Sequence, residues 1–172
     1  IGGCDSTCMS DAIDNMLKNG ITTFGAISSH GMDLEACANA KQNVVFFNEL
    51  IGSQAVMADT LFGDFISRLD ASKSIKREGF HPAVAIHSPY SVHPVLVKKA
   101  LEIVKNEKLH LTAHFMESEA ERNWLDNSDG DFKEFFEKLL KQTYAVCDAK
   151  EFLNYFDETP ALLTHVVKAN DS

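Results

Sequence analysis

The chain has 172 residues, 45% hydrophobic and 24% charged, enough for one substantial core and too short for two comfortable domains. Its 25 acidic residues outnumber 16 basic ones, giving a formal charge of −9, and its densest basic cluster is Lys73, Lys76 and Arg77, so a nucleic-acid polymer is a poor partner. No apolar run approaches the roughly 18 residues that a membrane span needs, which argues against a membrane partner.

Cys4, Cys8, Cys37 and Cys147 lack the spacing of a disulfide framework or a Cys-x-x-Cys zinc knuckle, and they read as reduced thiols in a cytoplasmic protein. The sequence begins at Ile1, without Met and without a signal peptide, and reads as a piece of something longer.

In chain order, Ser10 to Lys18 predicts a helix with Ile13, Met16 and Leu17 on one stripe and Gly20 placed to end it. Ile21 to Ile27 is rich in β-branched and aromatic residues and predicts a strand, followed by a Ser-Ser-His-Gly loop. Asp33 is placed to cap a short helix through Lys41, and Val44 to Leu50 is the next apolar strand. Ala58, Leu61, Phe62, Phe65, Ile66 and Leu69 recur at helical spacing. A basic loop, Lys73 to Gly79, leads to a strand over Ala83 to His87.

The pattern then repeats. Pro94 opens a helix carrying Val97, Ala100, Leu101 and Val104 inward, Leu109 to His114 is a strand, and Glu117 to Leu125 is a short helix. After a Ser-Asp-Gly loop, Phe132, Phe135, Phe136, Leu139 and Leu140 form a second strong helical stripe. Glu151 to Phe156 adds one or two helical turns, and Ala161 to Val167 is a last strand. Five strands separated by helices imply parallel pairing, in a doubly wound sheet or in part of a β/α barrel. A complete eight-stranded barrel takes about 250 residues, so five strands form an open arc.

His87, His114 and His165 each fall at the C-terminal end of a strand, the rim where loops build active sites in parallel α/β folds. Three at equivalent positions point to one shared cleft; the competing reading has each bonded to its own loop. Glu117, three residues after His114, sharpens this, because an imidazole there can meet a metal while the carboxylate exchanges a proton with the activated water. The alternative is that Glu117 caps the helix it opens, with Glu119 and Glu121 as solvated first-turn acids.

His87-Ser88-Pro89-Tyr90-Ser91 resembles the His-Ala-Pro-Tyr-Thr segment after the fourth strand of the amidohydrolase superfamily, in its chlorohydrolase, cytosine deaminase-like and adenosyl-homocysteine deaminase branch. Ala113-His114-Phe115-Met116-Glu117-Ser118 resembles that branch's fifth-strand His-x-x-Glu, and Leu163-Thr164-His165-Val166 its sixth-strand histidine. Gly20-Ile21-Thr22-Thr23-Phe24 is similar to the Gly-Thr-Thr-Thr start of its second strand. The stretch between His114 and His165 is long for the family and holds the aromatic helix from Asp131 to Gln142. With Trp124-Leu125, Gly130-Asp131-Phe132 and Thr164 through Asn170, the chain looks like the subgroup that deaminates aminodeoxyfutalosine, a menaquinone-pathway intermediate.

The resemblance implies a partial (β/α)8 TIM-type barrel, with residues 1–172 its central part and the first strand and last two strands absent. It implies His114 as a metal ligand, Glu117 as proton shuttle, His165 as the group that orients the attacking water or approaches the metal, and His87 as a substrate contact. Zinc or ferrous iron would serve the intact parent. The family's other ligands, a His-x-His pair on strand one and an Asp on strand eight, are missing here, so the fragment alone is expected to bind no metal and to be inactive. Tyr90 and Phe115 could line a pocket for a nucleoside-like substrate, or simply pack. His93 is expected to satisfy a helix cap, His110 to face a covering helix, His81 to lie in a loop, and His30 to serve loop structure. The alternative function is a self-contained α/β small-ligand-binding or structural module. An open arc also leaves two bare strand edges, which predicts self-association.

Overall fold

The computed structural model describes residues 6–169; Ile1, Cys4 and Asn170 lie outside the described residues. The elements run α1 (Ser6–Lys18), β1 (Thr23–Ser28), α2 (Leu34–Ala38), β2 (Asn43–Leu50), a 3-10 turn (Ala55–Met57), α3 (Ala58–Lys73), β3 (Phe80–Ile86), α4 (Pro94–Glu107), β4 (His110–Phe115), α5 (Glu119–Asn127), α6 (Asp131–Leu140), α7 (Ala149–Asn154) and β5 (Leu162–His165). All four strand pairings are parallel, and the spatial order is β1-β2-β3-β4-β5, the same as the order along the chain. A doubly wound sheet reverses its order at a switch point, and this one does not. The arrangement is a half-barrel with flanking helices.

Alternation along each strand separates two faces. Val84 and Ile86 of β3 and Leu111, Ala113 and Phe115 of β4 bury against Phe65 and Leu69 of α3 and Leu96, Val97 and Ala100 of α4. Val44 and Phe46 of β2 join Ile13, Ala36, Cys37 and Phe80 in a second cluster below the first helices. Asn48, buried between strand and helix, donates through Nδ2 to Ser72 Oγ at 2.8 Å and to the Ala83 carbonyl at 3.2 Å, which bolts β2 to α3 and β3.

Several boundaries differ from the sequence expectation for local reasons. The first helix begins at Ser6 rather than Ser10. Asp33 sits at the start of α2 without capping it, because its carboxylate accepts from the Ser28 hydroxyl instead. His81 lies within β3, and His110, exposed, shares the open face of β4 with His114 rather than facing a helix. β5 ends at His165, where His165 and Val166 take the left-handed conformation (φ 74° and 56°) that breaks strand geometry. Among the described cysteines, Cys37 and Cys147 are buried thiols, both pushed up to about 12 chiefly by burial. No helix among the described residues is long and apolar enough to cross a membrane.

Candidate active site

Parallel register brings the three rim histidines side by side. The His114 amide donates to the His87 carbonyl at 2.9 Å, and Phe115 pairs with His165 across β4 and β5. The His87 and His114 rings lie 5.4 Å apart at 67°, and the His114 and His165 rings 5.1 Å apart at 30°. Glu117 joins this row, its Oε1 3.7 Å from His165 Nε2. The four residues singled out in the sequence therefore form one contiguous cluster.

Each is held differently. The His87 ring Nδ1 lies 2.6 Å from Ser91 Oγ and 2.9 Å from Ser88 Oγ, and the two hydroxyls are 2.6 Å apart. Burial pushes the His87 pKa down, so the ring is neutral at pH 7. Gly52 fastens this turn to β2, donating to the Ser91 carbonyl and accepting from the His93 amide, both at 2.7 Å. Its φ of 150°, with a would-be Cβ 2.3 Å from Leu61 Cδ1, restricts the position to glycine. His93 does cap its helix, accepting from the Val95 amide at 3.2 Å.

The turn after β4 overturns the capping alternative for Glu117. Ser118 is the N-cap of α5, and Glu117 lies outside the helix with its side chain 53% exposed. Glu121, a solvated first-turn acid in that alternative, is 1% exposed, because its carboxylate turns back to accept from the Met116 and Glu117 amides.

Sequence reasoning missed Glu49. It is the penultimate residue of β2, on the same rim and almost fully buried, with Oε1 3.5 Å from His114 Nε2 and Oε2 accepting from Ser29 Oγ at 2.5 Å. Arg68 holds the Glu49 carbonyl at 3.0 Å and reaches the Ser28 carbonyl at 3.4 Å. Asn48-Glu49 at the end of an apolar strand was the available signal, had the rim rule used for histidines been applied to acids.

A cleft of about 660 Å³ opens beside the cluster, walled by Tyr90, Phe132 and Phe136 and meeting the polar row at His87 and Glu49. The Tyr90 and Phe132 ring centroids lie 4.8 Å apart, while Phe115 is buried against Phe152 in the core, away from this cleft wall. His30 lies on the cleft wall in its exposed loop.

As a metal site the cluster is partial. His114 Nδ1 is buried without a hydrogen-bond partner among the described residues, which leaves it free to serve as a donor to an ion. Yet among the described residues no three His, Cys, Asp or Glu side chains converge to hold an ion. The donors fit a metal only if the remaining ligands come from outside them.

Comparison with known proteins bears on this geometry. The model described as "Amidohydrolase family" matches residues 7–169. An aminodeoxyfutalosine deaminase of a Nitratiruptor species is 47% identical over 168 residues, 98% of this chain and 42% of that protein. An adenosine deaminase of Helicobacter pylori is 28% identical over 158 residues, covering 90% of this chain and 38% of its own length. The crystal structure of Helicobacter pylori aminofutalosine deaminase in complex with methylthio-coformycin superposes with a TM-score of 0.87 at 27% identity, over 96% of this chain and 40% of that one. The chain thus spans about two fifths of the length of these relatives.

Proposed function

Because this chain belongs to the amidohydrolase family, we propose that it is the central part of a metal-dependent barrel hydrolase that deaminates a purine or nucleoside-like substrate, with aminodeoxyfutalosine the best candidate. The observation that carries this reading is the contiguous row His87, His114, His165 and Glu117 beside an aromatic-walled cleft. The likeness to an aminodeoxyfutalosine deaminase over 98% of the chain supports the substrate.

In this reading His114 holds the metal, zinc or ferrous iron, together with ligands outside the described residues. When bound, such an ion acidifies the attacking water. Glu117 takes a proton from that water as its oxygen bonds to the amino-bearing carbon, then delivers the proton to the departing nitrogen as the C–N bond breaks and ammonia leaves. His165, 3.7 Å from Glu117, orients the water against that carboxylate. His87 contacts the substrate through its ring, held in place by the Ser88 and Ser91 hydroxyls at Nδ1. The aromatic wall, Tyr90 foremost, takes the flat base.

Two further consequences belong to the same proposal. The described residues alone supply less than a full ligand set, so this stretch by itself is inactive, and the edges of β1 and β5, unpaired among the described residues, drive self-association. Sedimentation of the 172-residue chain as a monodisperse monomer at high concentration would contradict the second. Buried free thiols at Cys37 and Cys147 suit a cytoplasmic enzyme. The central test is ammonia release by the full-length protein given aminodeoxyfutalosine, alongside metal analysis. A folded, metal-loaded protein that releases none from that compound or from adenosine sinks the deaminase reading.

A further inference from the structure

The polypeptide between β4 and α5 carries Glu117, and its backbone groups are spoken for on both sides. On the donor side, the Met116 amide donates to Glu121 Oε1 at 3.0 Å and the Glu117 amide to Glu121 Oε2 at 2.8 Å. On the acceptor side, the Phe115 carbonyl accepts from the Val166 amide at 2.8 Å and the Met116 carbonyl from the Lys168 amide at 2.9 Å. Three residues of this frame, Met116, His165 and Val166, stand in left-handed backbone at φ 50°, 74° and 56°. A β-branched valine there is an outlier, and such strain persists only where surrounding bonds over-determine it.

Helix capping does not account for Glu121. Ser118 already caps α5, accepting from the Glu121 amide at 3.2 Å. Glu121 instead reaches past the cap to amides outside the helix, with its carboxylate buried and no Lys or Arg ion pair among the described residues. Burial pushes its pKa up while the two amides pull it down, so the acid sits there at a cost that helix stability alone does not require.

We infer that Glu121 is a positioning residue for the deamination, fixing the left-handed Met116 turn so that Glu117 stands against His165. This rests on the reading of Glu117 as the proton shuttle. Both carboxylate oxygens are needed, one for each amide, so an isosteric amide supplies an acceptor for only one of them and sets an N–H against the other.

The test is steady-state ammonia release from aminodeoxyfutalosine by the full-length, metal-loaded protein. Glu121→Gln is expected to lower kcat by about 10- to 100-fold with KM within about threefold and metal content unchanged, the signature of a misplaced group in a formed site. Ser118→Ala, which removes the cap at the same helix end but leaves the carboxylate, is expected to lower Tm while keeping kcat within about twofold. If Glu121 acts through Glu117, the Glu117→Gln/Glu121→Gln double variant turns over at the residual rate of Glu117→Gln alone, within about twofold. Full activity in Glu121→Gln, or a double variant that falls by the product of the two single losses, overturns the inference. Should Glu121→Gln not fold, Glu121→Asp, which keeps the charge but is one methylene short, runs the same cycle. If neither folds, Glu121 is a folding residue and the inference is equally overturned. Undiminished turnover in Glu117→Gln would instead sink the shuttle reading beneath it, a separate result.

Discussion

After β3 the chain turns mostly on groups of its own. The His87 side chain is held by Ser88 and Ser91, one and four residues away, while Leu50 and Gly52 of the neighbouring β2 edge and the His114 amide brace the backbone of its turn. After β4 the turn is held locally by Glu121, four and five residues on in α5, and also from a distance, by Val166 and Lys168 beyond β5, roughly fifty residues on, and by Glu49 of β2 against the His114 ring. The first turn sets His87 on the cleft wall, and the second sets Glu117 against His165 beside it. On the proposed roles, the first turn presents a fixed ring to substrate and is braced mostly by its neighbours in sequence, whereas the second holds a proton-transferring carboxylate and is braced through the tertiary structure as well.

The largest effect that would sharpen this contrast is chemical. Glu117→Gln in the full-length protein should reduce kcat by about 10²- to 10⁴-fold, the range for loss of a general acid–base, with KM little changed. His87→Ala should act mainly on KM, since a ground-state substrate contact contributes to binding before and during the reaction alike. Steady-state kinetics on the two variants decide it. A kcat loss in His87→Ala as large as that in Glu117→Gln would erase the distinction between the turns.

The next largest is structural. Trp124 is fully buried and stacks on Phe136 at 5.1 Å and 12°, tying α5 to α6 beneath the β4 turn. Truncation to alanine should cost about 3–5 kcal/mol, read as a lower urea midpoint. Because α5 carries Glu121, activity should fall well before the fold is lost as urea is raised. Inactivation coincident with global unfolding would mean that the β4 turn does not depend on its helix.

This contrast also explains what was legible in the sequence. His87, His114 and His165 were readable because strand-helix alternation fixes parallel strands, and parallel strands share one rim. Ser88 and Ser91 lie within the same motif as His87. The role of Glu121 was not legible because its burial depends on a backward reach to the amides of left-handed Met116 and of Glu117, and no propensity flags a methionine for that conformation. Glu49 meets His114 only through the register of three strands. The aromatic stripe of α6 was legible as a helix, but Phe135 and Leu139 are 55% and 64% exposed while Phe136 is buried, because periodicity gives a face without saying how much of it finds a partner.

A smaller effect tests the redundancy at His87. With two hydroxyls within hydrogen-bond distance of one ring nitrogen, Ser88→Ala or Ser91→Ala alone should cost about 0.5–1.5 kcal/mol at most, since the remaining hydroxyl still satisfies the ring. The double substitution leaves a buried imidazole nitrogen bare and should exceed the sum of the two. Urea denaturation of the three variants measures the coupling. Strict additivity would show that the hydroxyls act on separate atoms.

The smallest expected signal is a rate. Cys37 lies in the helix cluster behind β1 and β2, and Cys147 in the segment between α6 and α7 that packs with the β4–α5 side of the core. Both thiols are held up to about 12, so at pH 8 the thiolate is only about one part in ten thousand and neither should label in the native protein. Labelling therefore reports opening. Cys147 belongs to an irregular connection between two short helices, whereas Cys37 is packed against the strand core at Val44 and Phe46. Local opening draws on the parts with fewest buried partners. In urea below the unfolding midpoint, residue-resolved mass spectrometry should find Cys147 modified first. The β4 turn would then be borne by the part of the molecule that opens most readily, which explains why it needs braces from both α5 and β5. Modification of Cys37 first would reverse that picture and place the weaker support under β2 and Glu49.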